Sequence, residues 1–104
     1  MLVFNETKQG DKFMASNFQI SSIKKNRNLH LKLYGDFDVT SAQELTNTLL
    51  TLGAGYWDIF IDTNDLEAIH PFGRDTLQMN LSNFKKQLSN LFFIGANKHK
   101  IAPT

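Results

Sequence analysis

Apolar residues recur at two different periods along this chain, and the switches between them lay out its elements. Phe18 and Ile20 share one side of Phe18-Gln-Ile-Ser-Ser-Ile23, and Leu29, Leu31 and Leu33 alternate with His30, Lys32 and Tyr34. A period of two is that of a strand with one buried face. The polar run Lys24-Lys-Asn-Arg-Asn28 joins the two as an antiparallel hairpin, which Gly35 ends. The period then lengthens. Ala42, Leu45, Leu49 and Leu52 form a helical stripe behind Thr40-x-x-Gln43 and Ser41-x-x-Glu44, both of which satisfy the capping-box pattern. Gly53-Ala-Gly55 stops that helix, because glycine takes the left-handed cap conformation without steric cost.

Trp57-Asp-Ile-Phe-Ile61 is nearly all apolar and predicts a central strand. Asp62-Thr-Asn-Asp65 reads as the loop after it, and residues 66–69 lead into a second helix opened by Pro71. On a helical wheel Leu77, Leu81, Phe84 and Leu88 lie within about 60° of one another, a core-facing stripe. Lys85 and Lys86 follow at the end where cations oppose the helix dipole. Leu91-Phe-Phe-Ile94 is a last strand before Gly95. The order is β-β-α-β-α-β. Strand-helix-strand units favour parallel pairing with same-handed crossovers. The expected α/β fold is therefore a single-layer mixed sheet of about four strands with both helices on one face. The other face is partly polar, or is covered by the N-terminal segment or by a partner. Residues 1–16 read as a tail or extra edge element, 17–96 as the domain and 97–104 as a C-terminal tail.

Composition narrows the function classes. A chain of 104 residues with 41% hydrophobic and 20% charged side chains is one ordinary globular domain, and nine Phe predict an aromatic core. A formal net charge of +1 removes the electrostatic case for a nucleic-acid or acidic-membrane partner. The absence of Cys excludes disulfides, thiolate metal sites and a Cys nucleophile, and suits a reducing compartment. Residues 1–10 lack the layout of a signal peptide, and no apolar run approaches the roughly 18–20 residues of a membrane span. A cytoplasmic location is the expectation.

Several segments in this order resemble the STAS domain, the sulfate-transporter and anti-sigma-factor-antagonist module. Gly35-Asp-Phe-Asp38 is similar to its Gly-x-Leu-Asp segment, and Trp57-Asp-Ile-Phe-Ile-Asp62-Thr-Asn-Asp65-Leu66 to its apolar strand ending in Asp and a polar turn. Ile69-His70-Pro71-Phe72-Gly73-Arg74 falls where the family carries Asp-Ser-Ser-Gly, and Leu91-Phe-Phe-Ile94-Gly95 matches the strand that follows. The resemblance spans about residues 17–96. It implies a non-catalytic regulatory protein in bacterial signalling that binds an anti-sigma factor, a kinase-like protein or another complex subunit, with a homodimer also allowed. Two departures stand out. Aligned on Gly73, Phe72 replaces the Ser that family members phosphorylate, so no phosphoacceptor stands at that position. Only nine residues follow Gly95, where the family continues into a third helix.

The resemblance and the wheel together nominate a partner-binding set of His70, Phe72, Gly73, Arg74 and Met79, with Asp38 and Asp62 organising the edge. Phe72 and Met79 lie within about 20° of each other, opposite the leucine stripe. Phe72 either projects beside Met79 or bends back beneath residues 66–69. An exposed aromatic-plus-Met pair with a polar rim is a common binding hot spot. The remaining chemistry favours plain structural roles. His30, His70 and His99 lack metal-ligand spacing, and solvation suits His30. Capping and turn formation account for Asp36, Asp38, Asp62 and Asp65 better than a Mg²⁺ site does. Thr63, Thr76 and Ser82 offer hydroxyls near the family's functional region, but no nucleophile elbow or phosphate-cradling glycine loop occurs. No metal, cofactor or catalytic residue is expected. The alternative function is a subunit or ligand-binding module of a transporter or other complex, favoured by the missing third helix. An enzyme has no positive support.

Overall fold

The computed structural model describes residues 17–102, except 54, 88 and 89. Strand β1 (Gln19–Lys25) pairs antiparallel with β2 (Asn28–Phe37), as the alternation predicts. Helix α1 (Val39–Leu52) carries the chain over to β3 (Asp58–Ile69), and helix α2 (Pro71–Asn83) with a short 3₁₀ turn (Lys85–Gln87) carries it to β4 (Asn90–Ile94). Both crossovers produce parallel neighbours, so the sheet runs β1-β2-β3-β4. A one-turn helix α3 (Lys98–Ile101) follows.

The alternation in β2 decides which face is which. Leu29, Leu31, Leu33 and Phe37 are fully buried and meet Ile59, Ile61, Leu45, Leu49 and Leu77 in one core beneath α1 and α2. Phe18 sets its ring edge-on to Phe37 at 5.8 Å, within the favoured range for such pairs. Leu52, the last residue of the α1 stripe, is instead exposed where the helix ends. Leu88, expected in the α2 stripe, and the segment 1–16 lie outside the described residues.

Three segments extend the regular structure beyond the sequence expectation. Gly35 ends the β1–β2 pairing, whose last partners are Gln19 and Tyr34, but β2 itself continues to Phe37, with Gly35 inside it at φ +88°, where a Cβ would run into the Asn17 carbonyl oxygen. Asp62-Thr-Asn-Asp65 is strand rather than loop, and so are residues 66–69, which lead to the second helix at Pro71 as expected. β3 runs through both, taking up one extra residue at each of two register breaks opposite β2. Polar side chains inside a bulged strand mimic a loop in the sequence. Third, in the segment read as a C-terminal tail Lys98–Ile101 form α3, and Ile101 is fully buried in the core, as its apolar side chain requires.

Side chains satisfy the bulged strand's backbone. The Thr63 hydroxyl, fully buried, donates to the Ile94 carbonyl at 2.8 Å and accepts from the Asn97 amide at 3.1 Å. The Asn97 side chain donates to the carbonyls of Thr63 (2.9 Å) and Leu66 (3.3 Å), while Asn64 Oδ1 accepts from the Ala96 amide at 2.7 Å. Backbone groups freed by the bulge are thus paired from the segment after β4.

Candidate functional site

The site begins where the two helices start. The N-cap of α1 is Asp38 rather than Thr40 or Ser41: its Oδ1 accepts from the Ser41 amide at 2.9 Å and from the Ser41 hydroxyl at 3.0 Å. The same hydroxyl donates to the Asp36 carbonyl at 2.9 Å, a second geometry within which it is held. Asp38 therefore caps the start of α1.

At α2, His70 is the N-cap residue without a side-chain capping bond, and Pro71 occupies the first turn. The His70 amide donates to the Phe37 carbonyl at 2.9 Å, which ties the start of α2 to the end of β2. Gly73 is buried against Asp38. A Cβ on Gly73 would lie 2.7–2.8 Å from the Asp38 carbonyl carbon, Cα and oxygen, so only glycine lets the two helix starts meet.

That approach fixes the direction of the first turn. Leu77 and Leu81 face inward, and Phe72 projects outward with 76% of its surface exposed, Met79 with 62%. Of the two orientations open to Phe72, the structure selects the outward one. Arg74, two residues on from Phe72, pairs with Asp75 at 3.3 Å, an exposed contact that leaves the guanidinium on the surface. His70, Phe72, Gly73, Arg74 and Asp38 come together at the two helix starts, and Met79 extends the group along α2.

Asp62 does not join them. It lies within β3 between Lys32 and Ile94 in register, and its carboxylate accepts from the Asn64 amide at 2.9 Å. β3 runs on through two bulges to Ile69, seven residues beyond Asp62, so Asp62 does not stand at the strand's end. Thr63 is equally remote in role: burial and its bond to Ile94 make it a staple of the fold, not an accessible hydroxyl.

The opposite face of the sheet carries an arrangement that alternation alone did not predict. Ile23, His30, Phe60 and Phe92 are successive register partners across all four strands. His30 stacks on Phe60 with centroids 4.8 Å apart, and Phe60 on Phe92 at 5.2 Å. His30 is thus part of an aromatic row rather than a solvated side chain. The next row holds Lys32, whose ammonium pairs with Asp65 at 3.4 Å; that hydrogen bond and charge hold its pKa above the ordinary lysine value. At the end of the hairpin the Arg27 guanidinium lies 4.8 Å over the exposed ring of Trp57. The sequence signal for the row was available only as one aromatic or aliphatic residue on each strand, with no way to align the strands.

Among the described residues, no three His, Asp or Glu side chains gather as a metal site, and no helix is long and apolar enough to cross a membrane.

No protein-family model matches the sequence, and no curated protein matches it. Solved structures do. The chain is similar to a protein described as Mglu (TM-score 0.63, 13% identity, 73% of this chain), of which it spans only 19% of the length. It is similar over 85% of its length to an anti-sigma-factor antagonist STAS domain from Rhodobacter sphaeroides, 97% of which is covered, with TM-score 0.63 and 13% identity. The anti-sigma factor antagonist SpoIIAA in its unphosphorylated form matches over 82% of this chain and 80% of its own, with TM-score 0.55 and 11% identity. At such identities the likeness shows the fold alone: a four-stranded mixed sheet in the β-β-α-β-α-β order, with the STAS-like architecture of these antagonists.

Proposed function

We propose that this chain is a non-catalytic regulatory module that binds an anti-sigma-factor-type protein through the opening turn of α2. The observation that carries the reading is Phe72: an aromatic ring 76% exposed on a helix whose opposite side is buried through Leu77 and Leu81. A large apolar side chain held in water by a rigid helix gains most of its burial free energy only when a partner covers it. Met79 adds an adaptable apolar contact, and Arg74 and His70 supply the polar rim. Fold likeness to two anti-sigma factor antagonists supports the class of partner.

Control by phosphorylation at position 72 is chemically closed, since Phe has no acceptor oxygen. Binding is then set by partner availability rather than by a phosphate at the helix start. A cysteine-free chain suits the reducing cytoplasm. The subunit reading rested on a missing third helix, and the chain after β4 forms a short one, α3, whose Ile101 is buried in the core.

The test compares affinity capture from bacterial lysate by the wild-type chain, by Phe72→Asp and by Lys25→Glu on the remote strand β1, followed by mass spectrometry and reconstitution with the purified partner. Phe72→Asp is expected to lose the partner with a nearly unchanged melting temperature, and Lys25→Glu to retain it. Retention by Phe72→Asp at wild-type affinity refutes the surface.

A further inference from the structure

The two edges of the sheet are built differently. β1 exposes Ser21, Ser22, Lys24 and Lys25, the small polar and lysine residues with which proteins blunt an open edge. β4 has the sequence Asn-Leu-Phe-Phe-Ile, without charge, Pro or Gly, and among the described residues no strand pairs with its outer side. An unblunted edge of this kind directs backbone N–H and C=O groups outward and templates another strand.

The pattern within β4 says which strand fits. It is symmetric about Phe92: Leu91 and Phe93 turn toward the core, and Asn90, Phe92 and Ile94 toward the open face. From this symmetry we infer that β4 pairs antiparallel with β4 of a second copy of this chain, about a two-fold axis through Phe92. In that register Leu91 of each copy faces Phe93 of the other, apolar against apolar on the core side. Phe92 meets Phe92, so the stacked row of His30, Phe60 and Phe92 runs on into its own mirror across the joint. Asn90 lies opposite Ile94. This surface is separate from the α2 turn and does not depend on the function assigned there.

Two physical limits shape the association. A joint of five residues per copy falls at the low end of interface sizes, below about 1,200 Å² in total, so the dimer is weak and concentration-dependent. Lys85 and Lys86 precede β4 and Lys98 and Lys100 follow it, and the antiparallel register brings the leading end of one copy to the trailing end of the other. Repulsion between these groups is screened by salt, so association strengthens as ionic strength rises, opposite to a charge-driven contact.

The chain contains no cysteine, which makes the register directly readable. Phe92→Cys, Asn90→Cys and Ile94→Cys are made singly in the full chain and oxidised mildly at high protein concentration. Phe92→Cys is expected to form a disulfide-linked dimer, and an equimolar mixture of Asn90→Cys and Ile94→Cys a mixed dimer. Either of the last two alone forms none, because like positions then sit roughly 14 Å apart, beyond disulfide reach. Light scattering on the unmodified chain is expected to show mass rising toward the dimer with concentration and salt. Phe92→Lys abolishes the rise with an unchanged circular dichroism spectrum, whereas Phe72→Asp leaves it intact. A constant monomer mass into the millimolar range, or cross-linking equal at all three positions, overturns the inference.

Discussion

Replacing Gly73 by Ala tests the contact that orients the whole candidate site. In a helix interior this exchange ordinarily stabilises, by up to about 1 kcal/mol, because glycine has more backbone freedom to lose. Here the added methyl would lie 2.7 Å from the carbonyl carbon of Asp38 and 2.8 Å from its Cα and oxygen, against ordinary contacts of 3.4–4 Å. All three atoms are backbone, and Asp38 is itself fixed as the cap of α1, so no side chain can swing aside. Overpacking of this kind costs typically about 1–3 kcal/mol. At three backbone contacts this short the steric cost outweighs the propensity gain, leaving a net loss of up to about 2 kcal/mol. For a domain of this size that lowers the melting temperature by roughly 4–8 °C per kcal/mol. Thermal and urea unfolding followed by circular dichroism would measure it, with Ser82→Ala, on the exposed side of α2, as the control that should be neutral or slightly stabilising. A Gly73→Ala chain as stable as the wild type, or more so, would refute the claim that the two helix starts are in backbone contact. It would also remove the reason for Phe72 to face outward.

Two further outcomes test how the end of the chain belongs to the fold. Ile101→Ala should cost about 2–5 kcal/mol in urea unfolding, as for other fully buried aliphatic residues, whereas a residue in a loose tail would cost almost nothing. Thr63→Val keeps shape but strands the Ile94 carbonyl and the Asn97 amide; a loss of about 2–4 kcal/mol is expected, with faster hydrogen exchange at Asn97, and an unchanged midpoint would show that the hydroxyl is dispensable.

Much of the architecture was legible in the amino-acid order because it depends on local periodicity. Leu29, Leu31 and Leu33 declare a strand face by alternation, Ala42, Leu45 and Leu49 declare a helix face by their spacing, and Pro71 marks where a helix can begin. Those patterns also select the parallel crossovers, since helices between strands leave few other connections. The outward side of α2 followed in the same way once Leu77 and Leu81 were taken as its buried side.

What the tertiary structure alone decided depends on residues distant in sequence. Whether Phe72 projected or folded under was settled by Gly73 resting on Asp38, a contact across thirty-five positions that no period encodes. The polar stretch from Asp62 to Asp65 became strand because Thr63, Asn64 and Asn97 supply the hydrogen bonds that a bulged backbone lacks. The row of His30, Phe60 and Phe92 exists only through strand register, which three separate pairings establish. Periodicity tells each residue which way to face; only packing between elements decides what it meets there.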